Sequence, residues 1–217
     1  TDSLGRYEDG FDILDGGAGD DTLDGGAGDD IINGGAGDDI INDGVGDDIV
    51  DAGEGSDTYK RDFDVTDPNG TWIPHIDLEN AGLFSPSFPG VKGDELKNFE
   101  NVTLKGSLDT IVTGDENDNV ISTGAGADKL YGGDGNDTLD GGAGDDTLDG
   151  GDGNDILIYN GIGKDVAKAG AGSDTLQISN ILGYSEYRSG DDLIIYSENS
   201  NDYVTASGAY SDDNRLE

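Results

Sequence analysis

Asp12, Asp21, Asp30, Asp39, Asp48 and Asp57 recur every nine residues; Asp128, Asp137, Asp146 and Asp155 repeat that interval, and Asp165 and Asp174 resume it after one inserted residue at Tyr159. Each aspartate closes a glycine-rich acidic run of six, and the three residues that follow have an apolar member in the middle. Residues 25–42, GGAGDDIINGGAGDDIIN, hold two identical units in tandem. Carboxylates are hard oxygen ligands. Glycine and other small residues allow left-handed backbone conformations that turn main-chain carbonyls inward beside them. With no Cys and a single His in the chain, an oxygen-only donor set points to a hard cation and away from zinc or copper.

Positioning these acids needs only a turn and a very short strand per unit. If alternate units stack as parallel strands roughly 4.8 Å apart, a cation midway between equivalent oxygens lies at least about 2.4 Å from each. That fits calcium at about 2.3–2.6 Å and is too long for magnesium at about 2.0–2.1 Å. The spacing therefore selects calcium.

The units resemble the RTX (repeats-in-toxin) nonapeptide G-G-x-G-x-D-x-U-x, recurring in fixed register. The resemblance implies an all-β fold, a right-handed parallel β-roll (solenoid) with two nonapeptide units per turn, one non-repeat excursion and a C-terminal β cap. It places each calcium between turns on one edge of the roll. The ligands would be the sixth-position Asp carboxylates named above and loop carbonyls such as those of Gly16, Ala18, Gly25, Ala27, Gly34, Ala36, Gly132, Asp134, Gly141 and Ala143. With two units per turn, Asp12 pairs with Asp30, Asp21 with Asp39, Asp30 with Asp48 and Asp39 with Asp57. In the second block Asp128 pairs with Asp146, Asp137 with Asp155, Asp146 with Asp165 and Asp155 with Asp174, which gives about eight Ca2+ ions in all. Thr110 and Asn119 hold the sixth position in the first two units of that block and break the pattern there. The expected thin core is Leu14, Leu23, Ile32, Ile41, Val50, Tyr59, Val112, Ile121, Leu130, Leu139, Leu148, Leu157, Ala167 and Leu176. The fifth-position acids Asp20, Asp29, Asp38 and Asp47 are expected to face solvent, and Ile13, Ile31 and Ile49 to form an apolar ladder covered by another part of the chain.

Composition agrees with a fold that depends on metal. The 217 residues carry 49 acidic against 11 basic side chains, a formal net charge of -38, 39 glycines and 32% hydrophobic residues. Without cations such a chain buries too little apolar surface to overcome its own charge repulsion. The charge argues against nucleic acid and anionic membranes as partners, and no apolar run approaches membrane-spanning length. The absence of Cys rules out a disulfide framework.

The expected organisation is a first repeat block over residues 1–60, a non-repeat excursion over 61–104 packed on the roll, a second block over 105–177 and a capping segment over 178–217. All four prolines, the one Trp and the one His fall in the excursion. There, residues 72–78 read as an edge strand limited by Pro74, and Leu96, Phe99, Val102 and Leu104 as core on the way back to the roll. His75 reads as a packing or surface residue. Trp72 reads as satellite core, with a weaker reading as a glycan-binding platform. Asp67-Pro68 resembles, in that dipeptide alone, the self-cleaving sites of some RTX proteins. Near the C-terminus, the alternating stretches 192–197 and 202–206 read as a hairpin that closes the open end of a solenoid.

No G-x-S-x-G or H-E-x-x-H motif is present, so the chain is expected not to be an enzyme. The resemblance implies a monomeric calcium-binding module that folds on meeting extracellular calcium. It would belong to a larger secreted polypeptide (adhesin, toxin or enzyme) exported by type I secretion, and be found outside the cell or at the bacterial cell surface. The start at Thr1 reads as a fragment of such a polypeptide. The alternative is a carbohydrate- or surface-binding accessory module, adhesin-like or alginate-epimerase-like, with a glycan or surface as ligand. No membrane insertion is expected.

Overall fold

The computed structural model describes residues 10–44, 48–63, 75–78, 82–84, 95–160, 162–179, 184–189, 192–197, 202–207, 210–211 and 214–216. Among them there is no helix. The first block contributes β1 (Ile13–Ala18), β2 (Thr22–Asp24), β3 (Ile31–Ala36), β4 (Ile40–Asn42), β5 (Ile49–Glu54) and β6 (Thr58–Phe63). The excursion supplies β7 (His75–Asp77), β8 (Gly82–Phe84) and β9 (Glu95–Lys97). Then come β10 (Asn101–Gly106), β11 (Ile111–Thr113), β12 (Val120–Ser122), β13 (Lys129–Asp134), β14 (Thr138–Asp140), β15 (Thr147–Asp152), β16 (Ile156–Tyr159), β17 (Lys164–Lys168) and β18 (Gly172–Ile178). The C-terminal part holds β19 (Tyr184–Ser189), β20 (Asp192–Ser197), β21 (Tyr203–Ser207), β22 (Tyr210–Ser211) and β23 (Asn214–Leu216).

Alternate strands go to opposite walls because each six-residue turn reverses the chain, and eighteen residues complete one circuit. One wall is continuous, in the order β2-β4-β6-β10-β12-β14-β16-β18-β23-β22. The facing wall is split at the excursion into β1-β3-β5-β9 and β19-β20-β21-β17-β15-β13-β11-β7-β8. Every pairing between repeat strands is parallel and in register: Ile32 lies beside Leu14 and Val50, and Leu130 beside Val112 and Leu148. The extra residue at Tyr159 lengthens the circuit by one, so Leu148 pairs with Ala167 and Leu157 with Leu176. The molecule is thus a parallel β-solenoid.

The eighth-position side chains of facing walls meet in a core one side chain deep. Ile32, Ile41, Val50, Tyr59, Val112, Ile121, Leu130, Leu139, Leu148, Leu157 and Ala167 are buried, with Leu14, Leu23 and Leu176 partly buried against them. Phe99, Val102 and Leu104 join the same core; the Leu96 side chain lies outside the described atoms. Phe99 meets the Tyr59 ring edge-on, with centroids 5.6 Å apart. Ile13, Ile31 and Ile49 do stack in register, but they remain 71%, 38% and 45% exposed among the described residues.

The edge-strand expectation for residues 72–78 is corrected. β7 lies between β11, in parallel, and β8, antiparallel. Pro74 itself lies outside the described residues. The C-terminal hairpin is present as β20 and β21, antiparallel, with β19 added on the outer side. β21 then joins β17 in parallel, burying Ile195, Val204 and Ala206 over the end of the core.

Candidate metal centre

The turns are held together by the aspartates themselves. The sixth-position Oδ1 accepts the backbone N–H of the sixth residue one circuit earlier. Asp12 donates to Asp30, Asp21 to Asp39, Asp30 to Asp48 and Asp39 to Asp57, at 2.7–2.8 Å. In the second block Asp128 donates to Asp146, Asp137 to Asp155, Asp146 to Asp165 and Asp155 to Asp174, at 2.8–3.1 Å. These are the eight pairs read from the spacing, so the structure brings the predicted acids together on the two edges of the roll.

The second oxygen is the chemically telling one. Asp21, Asp30, Asp39, Asp57, Asp128, Asp137, Asp146, Asp155 and Asp174 each bury Oδ2 with no hydrogen-bond partner. An unpaired carboxylate oxygen away from water is costly to keep charged. Repeated once per turn, it marks a place where positive charge belongs. Burial, the largest cause, raises the carboxyls of Asp57, Asp128, Asp155 and Asp174 above the ordinary range and takes Asp137 to about 6, Asp165 to about 7 and Asp146 to about 8. The N–H bonds from the previous turn oppose the rise, and neighbouring carboxylates add to it for most of these groups.

Main-chain oxygens converge on the same atoms. A Cβ placed on Gly16 would meet Gly34 O at 2.5 Å and Asp21 Oδ2 at 2.9 Å. One on Gly34 would meet Ala52 O at 2.3 Å and Asp39 Oδ2 at 2.4 Å, and one on Gly132 would meet Asp137 Oδ2 at 2.2 Å and Gly150 O at 2.4 Å. First-position carbonyls therefore face back toward the acid of the preceding turn. Third-position carbonyls also face back, Ala27 accepting from Gly10 N–H and Ala36 from Gly19 N–H.

The sequence reading missed the carbonyls that face forward. A Cβ on Gly35 would lie 2.1 Å from Gly17 O, one on Gly55 2.0 Å from Gly37 O and one on Gly151 2.0 Å from Gly133 O. Second- and fourth-position carbonyls thus point at the next turn, which their positive φ permits: +92° at Gly17 and +135° at Gly37. Between the stacked turns of the aspartate pairs, carboxylate and main-chain carbonyl oxygens therefore come together. Among the described residues no group of three or more His, Asp or Glu side chains is placed to hold a metal ion by itself. These residues fit a hard divalent cation.

Some side chains do more than the sequence suggests. Asp20 Oδ1 accepts from Asp38 N–H and Asp38 Oδ1 from Ser56 N–H, so these exposed fifth-position acids also tie turn to turn. Asp29 is exposed, and Asp47 lies outside the described residues. Thr110 and Asn119 keep the ladder by donating their N–H groups to Asp128 and Asp137. Asn119 also turns Nδ2 toward Glu100 O and Asp115 Oδ1, a donor where other turns present a carboxylate. Trp72, Asp67 and Pro68 lie outside the described residues, and only the backbone of His75 is described.

A search of curated proteins finds no match. Among solved structures, the crystal structure of extracellular lipase LipA from Serratia marcescens aligns at 22% identity and a TM-score of 0.36, over 98% of this chain. The chain spans 40% of that lipase chain. The RTX calcium-binding nonapeptide repeat family matches residues 8–41, 25–59, 106–139, 113–148, 122–157 and 159–177. Those matches together cover more than half of the sequence, and the chain belongs to the RTX calcium-binding nonapeptide repeat family.

Proposed function

We propose that this chain is a calcium-operated folding module, in which ions held between sixth-position aspartates and the carbonyls of stacked turns supply the energy that the thin core cannot. The row of buried, unpartnered Oδ2 atoms supports this reading most directly. Ordering costs roughly 1–2 kcal/mol of backbone entropy per residue, and one core side chain per nine residues does not offset it. With a dissociation constant near ~10⁻⁴ M, about 1 mM calcium adds roughly 1.4 kcal/mol per site and on the order of 11 kcal/mol over about eight sites. That is comparable with the whole stability of an ordinary domain, about 5–15 kcal/mol.

The ligands are Asp12, Asp21, Asp30, Asp39, Asp48 and Asp57 in residues 1–60, and Asp128, Asp137, Asp146, Asp155, Asp165 and Asp174 in residues 105–177. The excursion at 61–104 joins the two blocks, and 178–217 caps the second. Calcium-poor cytosol would leave the chain unfolded and calcium outside the cell would fold it, which suits a secreted polypeptide exported before it folds. Any catalytic or adhesive activity would lie in the larger protein, and the module itself performs none. Isothermal calorimetry with calcium tests the assignment: about eight ions are expected, and an Asp137→Asn variant should bind fewer. A count of one or two ions, or no change in the variant, would contradict it.

A further inference from the structure

On the continuous wall the sixth-position residues run Asp21, Asp39 and Asp57, then Asn119, Asp137, Asp155 and Asp174. The residue between 57 and 119 is Glu100, outside every matched repeat. Its Oε2 accepts the Asp57 N–H at 2.7 Å, the bond that each repeat aspartate makes with the turn before it. It stands directly before β10, which pairs with β6 on one side and β12 on the other. The chain from Leu96 to Val102 is six residues long, against nine from Val50 to Tyr59. The turn before Glu100 is therefore short, yet Glu100 stands two residues before Val102 as Asp57 stands two before Tyr59, and so keeps the sixth-position register.

The turn beneath has the features of a cation half-site. Asp57 is fully buried, and its Oδ2 has no hydrogen-bond partner. Gly53 and Gly55 have φ of +111° and +151°, the conformations that in the preceding turns aim second- and fourth-position carbonyls forward. On the other edge of the roll, one circuit earlier between β4 and β6, the arrangement is different. There the carboxylate of Asp43, also fully buried, receives the Tyr59 hydroxyl at 2.8 Å and Arg61 Nη1 at 3.2 Å. The chain provides its own cation on that edge and sets two carboxylates against each other on this one.

We propose that Asp57 and Glu100, with the carbonyls of Gly53 and Gly55, hold a further calcium ion at the seam between the two repeat blocks. The site rests on the calcium reading of the repeat turns and extends it to a non-repeat residue, so that ion binding in the first block is coupled to the second through the continuous wall.

The test is the calcium count of wild type and Glu100→Gln at saturation, by calorimetry and by mass spectrometry under native conditions. Glutamine keeps an acceptor for the Asp57 N–H and loses the charge. One ion fewer, with the far-UV spectrum in calcium unchanged, supports the site; an unchanged count overturns it. If the variant does not fold in calcium, a crystal structure of wild type grown with calcium decides. An ion about 2.3–2.6 Å from both Asp57 and Glu100 oxygens supports the site, and Glu100 bound to the Asp57 N–H alone overturns it. A wild type that binds calcium in its repeats but not here rejects this site only, whereas one that binds none rejects the repeat reading with it.

Discussion

At the scale of single residues, the site is built from two atoms of each aspartate doing different work. Oδ1 fixes the turn before it through an N–H bond, and Oδ2, buried without a hydrogen-bond partner in most of them, is the atom proposed to meet the ion. Glycine is required where stacked carbonyls approach: Gly35 has φ +112°, and a Cβ there would lie 2.1 Å from Gly17 O. Gly35→Ala should therefore cost roughly 1–3 kcal/mol and shift the calcium midpoint of folding upward; an unchanged midpoint would count against the stacking. The raised carboxyls predict an unusual pH response. Asp137, Asp165 and Asp146 have folded values of about 6, 7 and 8, above the unfolded value near ~3.9. The folded form thus binds protons more tightly, and the stability this gives is complete below about pH 4 and lost as pH rises through about 6–8. Calcium-free protein should gain β structure when acidified from pH 8 to pH 5. Calcium affinity should fall over the same interval, because ion and proton compete for the same oxygens. Loss of order on acidification without calcium would contradict this.

At the scale of elements, each strand is too short to persist alone, and its stability comes from the turns and its neighbours on the wall. Leu139 is fully buried in β14, so Leu139→Ala should cost about 2–5 kcal/mol, measured as a drop in melting temperature at fixed calcium. The last circuit of the first block has a support independent of metal, the Tyr59, Asp43 and Arg61 group between β4 and β6. Arg61→Leu removes the guanidinium from a buried carboxylate and should destabilise by about 3–5 kcal/mol; a change below about 1 kcal/mol would show the pair to be incidental. The aspartate pairs and the core were legible in the sequence because a nine-residue period fixes both which side chain enters the core and which acids stack. The role of Glu100 was not, since the shortened turn before it breaks the period on which that reading depends. Nor was the forward-facing set of carbonyls, because carbonyl direction depends on φ at Gly17 and Gly37 and not on residue type. The strand at His75 was anticipated, but one of its two neighbours, β11, comes from distant sequence, so its interior position was hidden.

At the scale of the molecule, the chain carries a net charge of -38, and its sixth-position acids stack along two edges. Each circuit touches only the circuits above and below it, so order spreads from neighbour to neighbour and ion binding should be cooperative. The three-stranded C-terminal meander gives β17 of the last circuits a partner and moves the open strand edge out to β19. The central claim is that calcium is a structural component whose size matches the spacing between turns. Far-UV circular dichroism of the chain titrated separately with calcium and with magnesium tests it most directly. A coil spectrum in chelator that becomes a β spectrum with calcium, and stays coil with magnesium at the same concentration, is the expected result. Equal β content with either ion, or in chelator, would contradict the account.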